Sequence, residues 1–182
     1  MMRRFRAACL GTVLALSPAL AFAQAQTSPS TDAPAPMASS MAMDKSTFVK
    51  MAGSSNEFEI ESSKLAEKRA KSADVKKFAR QMVADHTKAG KEMKTAAKMP
   101  KSAKPDLAPK HAAMMKQLEA AKGAEFQTMY VDMQVQAHNE AVDLFSGYSK
   151  SGDDPALKQF ATKTLPTLEM HREHVMRLTK TQ

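Results

Sequence analysis

The sequence predicts an all-α fold: a four-helix bundle with a short extra helix in the crossover between its second and third long helices. Three observations predict it. From residue 44 onward, apolar side chains return every three or four positions, the period of an amphipathic helix. Nowhere in that stretch does hydrophobicity alternate residue by residue, as a half-buried strand requires. Gly and Pro cluster at a few places and divide residues 44–182 into helix-length pieces, ample for one core.

The first helix is expected over 44–70, capped by Asp44 or Ser46, with Phe48, Met51, Ser55, Phe58, Leu65 and Ala66 on its inner stripe. Ser72-Ala73-Asp74 opens a second over 73–98, with Val75, Phe78, Ala79, Met82, Ala89 and Met93 inward. So short a connection makes these two an antiparallel hairpin. Residues 99–109 are a Pro-broken connector, and 110–122 form a short helix ending at Gly123. The third long helix, 124–149, turns Phe126, Tyr130, Ala137, Ala141, Leu144 and Tyr148 inward. Asp153 or Asp154 caps the fourth, with Pro155 at its first position. That helix covers 155–180 with Leu157, Phe160, Ala161, Leu168, Val175 and Leu178 inward, and Pro166 should kink it. Met82, Met93, Met129, Met133 and Met176 read as core filler. Val75-Lys76-Lys77-Phe78-Ala79 and Leu157-Lys158-Gln159-Phe160-Ala161 echo each other, which suggests two duplicated hairpins.

Ahead of the bundle, Arg3, Arg4 and Arg6 precede an apolar run, and Ala21-Phe22-Ala23 is a small-x-small cleavage motif. Residues 1–23 therefore read as a secretory signal peptide, and residues 24–43, rich in Ala, Pro, Ser and Thr, as a disordered linker. Met37, Met41 and Met43 in the linker have no flanking His and read as incidental rather than as copper ligands. The single cysteine, Cys9, falls in the leader, so the exported chain has no thiolate ligand, thiol nucleophile or disulfide. Without the three leader arginines the formal charge of +8 falls to +5, from 24 basic and 19 acidic residues. The excess is local: residues 64–104 hold 13 Lys/Arg against 4 Asp/Glu. Such a face suits an anionic envelope surface as partner, or simply coats the outside of a helix pair. An exported chain with few aromatics and no binding motif argues against nucleic acid. No G-x-S-x-G, Gly-rich phosphate loop or H-E-x-x-H is present, so no hydrolase arrangement is evident.

Glu61, His86, His138 and His171 each fall on or beside the apolar stripe of a different long helix. One inward protonatable group per helix is how a bundle builds a metal site in its core. Three imidazoles and a carboxylate suit Zn(II), Cu(II) or Fe(II) rather than Ca(II) or Mg(II). The competing reading is a hydrogen-bonded core network in which His86 or His138 pairs with Glu61, with Tyr130 and Gln134 as further partners. Asp85, Glu140, Glu169 and His174 fall off the stripes and are expected in solvent. Counted from the turns near 72 and 152, Glu61 and His86 agree in depth within about 5 Å, and His138 and His171 within about 8 Å.

Asn56-x-x-Glu59-Ile60-Glu61, Leu65-Ala66, Val75-Lys76-x-Phe78-Ala79, Met82-Val83-x-Asp85-His86, Tyr130-Val131, His138-x-x-Ala141-Val142 and Leu165-Pro166-x-Leu168-x-x-His171 resemble an exported bacterial ferritin-like family, the domain of unknown function numbered 4142. The resemblance covers roughly 44–180 and implies a ferritin-like four-helix bundle in the periplasm or cell envelope. Ferritin-like di-iron sites take a Glu from two helices and Glu-x-x-His from the other two. Here Val83 and Leu168 stand three residues before His86 and His171, so the bridging carboxylates are missing. The expectation is a non-enzymatic envelope protein that binds a transition metal through Glu61, His86, His138 and His171 and acts in stress or metal handling. The alternatives are a redox enzyme with a divergent metal centre and an adaptor docked through its Lys-rich helices.

Overall fold

The computed structural model describes residues 43–181. The expected signal peptide over 1–23, and the linker as far as residue 42 with Met37 and Met41, lie outside the described residues.

Helix α1 spans Lys45–Arg69, and its cap is Asp44, whose carboxylate accepts from the Thr47 amide at 2.9 Å. After only three residues α2 begins, spanning Ala73–Ala96 with Ser72 accepting from the Val75 amide. Gln127 steadies this tight turn from outside, its Oε1 accepting from the Lys71 and Ser72 amides. The crossover carries α3, Pro109–Ala120, with Pro109 in the first turn, where its missing N–H costs nothing. Helix α4 spans Gly123–Ser151; Gly123 opens it at φ 55, a left-handed conformation suited to glycine, rather than closing α3. Helix α5, Pro155–Leu178, is capped by Asp154, which accepts from the Ala156 and Leu157 amides, and it runs on through Pro166. A 3-10 turn, Thr179–Thr181, follows.

Each long helix packs on two others, α1 on α2 and α4, and α5 on α2 and α4. All four pairings are antiparallel. At one end of the α1–α4 contact Phe48 stacks on Tyr148 with centroids 3.9 Å apart, and at the other Ser63 meets Tyr130 at 2.9 Å. Between α2 and α5, Phe78 meets His174 edge-on at 5.1 Å, and Lys163 pairs with Glu92 at 3.5 Å further along. The crossover lies along α1. Ser54 accepts from the Ala108 amide and bonds His111 at its start, and Arg69 donates to the Leu118, Glu119 and Ala121 carbonyls at its end.

Two apolar clusters fill the bundle. One, towards the α1–α2 turn, holds Phe58, Phe78, Met82, Phe126, Tyr130 and Val175. The other, towards the α4–α5 turn, holds Phe48, Met93, Phe145, Tyr148, Phe160 and Leu168. On α2, α4 and α5 the boundary between the clusters falls at a histidine: His86 between Met82 and Met93, His138 between Ala137 and Ala141, and His171 between Leu168 and Val175.

The expected inward stripes of α4 and α5 are buried throughout. On α1 the stripe is rotated. Met51 is 49 % exposed, and the buried line runs through Phe48, Ala52, Ser55, Glu59, Ser62 and Ala66. Met176, expected as core filler, is also exposed. Lys77, Arg80, Lys88 and Lys91 lie exposed on α2. No helix among the described residues is long and apolar enough to cross a membrane.

Candidate metal centre

His86 from α2, His138 from α4 and His171 from α5 converge in the layer between the two clusters, and all three are buried. Their ring centroids form a nearly equilateral triangle with sides of 5.7, 5.5 and 5.6 Å. One ring nitrogen from each lies within 4.8 Å of the others. The depth difference expected between His138 and His171 is smaller than the count from the turn suggests. His138 lies thirteen residues before the end of α4 at Ser151, and His171 sixteen after the start of α5 at Pro155. Three residues of rise, about 4.5 Å, is a gap that two imidazoles can span.

The carboxylate that joins them is not Glu61. Glu61 is partly exposed and pairs with Lys104 at 3.4 Å, a lysine it shares with Glu57. Two residues on a helix are about 200° apart, so the rotated α1 stripe that turns Glu61 outward turns Glu59 inward. Glu59 is only 1 % exposed; its Oε2 sits 2.7 Å from His86 Nδ1 and its Oε1 4.0 Å from His138 Nδ1. Ser55 donates to Glu59 Oε1 at 3.4 Å. Asp85, expected in solvent, instead reaches across from α2 to α5, with Oδ2 2.9 Å from His171 Nε2. Glu140 is exposed beside Lys110, outside the site.

Each imidazole thus has one nitrogen held by an acceptor. His86 Nδ1 meets the Glu59 carboxylate, with Asn56 Oδ1 at 3.2 Å; His138 Nδ1 meets the Gln134 carbonyl at 2.9 Å; His171 Nε2 meets Asp85. An acceptor requires the proton on the nitrogen facing it, which leaves a lone pair on the other. Those other nitrogens, His86 Nε2, His138 Nε2 and His171 Nδ1, are buried and have no hydrogen-bond partner. Three desolvated lone pairs without a donor are costly as a hydrogen-bond network but suited to a metal ion. Carboxylate and carbonyl groups behind the imidazoles are the usual support for metal-binding histidines, because they fix the tautomer and raise the basicity of the ligand. Nitrogens within 4.8 Å of one another would be able to share a single ion.

Burial disfavours charge on His138 and His171, while Glu59 is held ionised. Burial would raise Glu59, but the charges of His86 and His138 and the hydrogen bond from His86 outweigh it and hold the carboxyl at about 2. Burial lowers His138, opposed by Glu59. His171 falls to about 4, through burial and the proximity of His86, with Asp85 opposing. A cavity of about 20 Å³, room for about one water, lies beside Glu59 and His86 against Ser55, Asn56, Thr164 and Met93.

The fold and the site define a class: an antiparallel helical bundle with a buried tri-histidine cluster backed by two carboxylates. A family model, Domain of unknown function (DUF4142), matches residues 29–178, and the chain belongs to that family. Two solved structures share the fold. CopM in the Cu(II)-bound form is 17 % identical with a TM-score of 0.63, covering 78 % of this chain and 99 % of that one. CopM in the Ag-bound form is 20 % identical with a TM-score of 0.60, covering 76 % and 97 %. No curated protein matches the chain.

Two participants, Glu59 and Asp85, were not expected from the sequence. The signal for Glu59 was present in its spacing of four from Ser55 and seven from Ala66, both on the expected stripe, but a charged residue and Ser62 carry no apolar weight of their own. Asp85 carried no signal, because its partner is on another helix.

Proposed function

We propose that this protein binds a transition-metal ion through His86 Nε2, His138 Nε2 and His171 Nδ1, and that it handles metal rather than catalysing a reaction. The observation that carries the reading is the trio of buried, unpartnered nitrogens, each opposite a nitrogen already held by an acceptor. Three imidazoles suit copper, zinc or iron of the first transition row. Among the described residues His86, His138 and His171 form one candidate ligand cluster without the paired bridging carboxylates of a di-iron centre, which supports a binding role over oxygen chemistry. That the two structural neighbours are described with Cu(II) and Ag bound supports the same direction. The signal-peptide reading of residues 1–23 supports the periplasm or cell envelope as the place of this activity.

The test is elemental analysis of chain purified without chelator and then loaded with excess metal and desalted. The wild type should retain about one ion per chain, and His86→Ala, His138→Ala and His171→Ala should each retain far less. A sub-stoichiometric wild type, or variants that retain metal equally, would overturn the proposal.

A further inference from the structure

The inference concerns the charge of the ion, and it rests on the metal reading above. We propose that Glu59 and Asp85 make the cluster a site for a divalent ion in preference to a monovalent one.

The three imidazoles that face the ion carry no charge of their own in the binding form, so the ion's charge is balanced only by what stands behind them. Glu59 stands behind His86 and Asp85 behind His171, each one hydrogen bond beyond the ring. Behind His138 is a neutral group, the Gln134 carbonyl. A divalent ion with two carboxylates sums to zero, and a monovalent ion leaves the layer one negative charge in excess. Uncompensated charge is expensive in a layer sandwiched between two apolar clusters. Glu59 sharpens the point. It is a buried carboxylate, and among the described residues no Lys or Arg is buried that could neutralise it. Its partners within the layer are the His86 and His138 rings, and where these bind an ion as neutral ligands the ion supplies the balancing charge.

Charge can be separated from hydrogen bonding by substitution. In Glu59→Gln the amide oxygen still accepts from His86 Nδ1, and in Asp85→Asn it still accepts from His171 Nε2. The tautomers persist while the charge is removed. Coulomb energy scales with the ion's charge, so the logarithm of the affinity lost should be about twice as large for a divalent ion as for a monovalent one.

The experiment is competition of the full chain against a chromophoric chelator in chloride-free buffer, with Zn(II) and Ag(I) as redox-inert probes. Glu59→Gln should weaken Zn(II) on the order of 10–100-fold, in the range of supporting-residue effects, and Ag(I) by about the square root of that factor. Asp85→Asn should show the same ratio with smaller losses, because Asp85 is partly solvated. Its position also leaves the fold intact should the buried substitution disturb it, and circular dichroism reports which chains are folded. Equal losses for the two ions, or a larger loss for Ag(I), would overturn the charge assignment while leaving the tri-histidine site standing. A wild type that binds neither ion would overturn the site and this inference with it.

Discussion

Glu59 Oε2 lies 2.7 Å from His86 Nδ1, and that contact holds one ring nitrogen while the buried Nε2 keeps no hydrogen-bond partner. With the proton drawn to Nδ1, the lone pair is left on the buried Nε2. Long-range proton–nitrogen correlation spectra of the metal-free protein at neutral pH should therefore show His86 and His138 as Nδ1–H tautomers and His171 as Nε2–H. The opposite tautomer at any of the three would remove a lone pair from the cluster.

Two glutamates two residues apart should behave in opposite ways. Glu59→Ala leaves the buried His86 Nδ1–H without its carboxylate and opens a void, and should lower stability by about 2–4 kcal/mol in urea unfolding. Glu61→Ala removes a partly exposed carboxylate whose lysine keeps Glu57, and should change stability by less than about 0.5 kcal/mol. Similar costs for the two would contradict the assigned rotation of α1.

Acid should weaken the metal-free protein. The folded His171 value of about 4 lies below the ordinary histidine value of about 6.5, so between these pH values the unfolded chain takes up more protons. The contribution of His171 is full above about 6.5 and is lost as pH falls towards 4, a decline on the order of 3 kcal/mol. Glu59, depressed to about 2, acts in the same direction lower down: its contribution is present above about 4.3 and is lost as pH falls towards 2. Chemical unfolding at a series of pH values should show stability declining in both windows, with the upper step missing in His171→Phe. A stability maximum near pH 5 would contradict this.

Arg69 ties the crossover down. Its guanidinium donates to three carbonyls at the end of α3 and lies 4.1 Å from the Phe126 ring centroid. Arg69→Ala should lower stability by about 2 kcal/mol and speed amide exchange in α3, with metal affinity unchanged, because the site is built from the other four helices. Loss of metal binding in this variant would show that the crossover is coupled to the site.

The bundle itself was legible because helical periodicity, caps and breakers are local. Asp44, Ser72 and Asp154 open their helices as their side chains dictate. The tri-histidine cluster was partly legible, since a polar group on an apolar stripe stands out on each helix separately. What failed was the azimuth of α1. Ser62 and Ser63 are buried because Tyr130, Gln134 and the Glu59 carbonyl satisfy their hydroxyls, so the inner face carries polar residues that a hydrophobic pattern assigns to solvent.

By itself, then, the sequence determined four long amphipathic helices, their order and antiparallel hairpins, and the inward placing of His86, His138 and His171. These follow from short-range geometry that the chain carries wherever it goes. Only the tertiary structure decided that Glu59 rather than Glu61 enters the layer, that Asp85 crosses to His171, and that the three buried imidazoles come within reach of one another. Those depend on how each helix rotates and slides against its neighbours, which is set by packing across the whole bundle and not by any one segment.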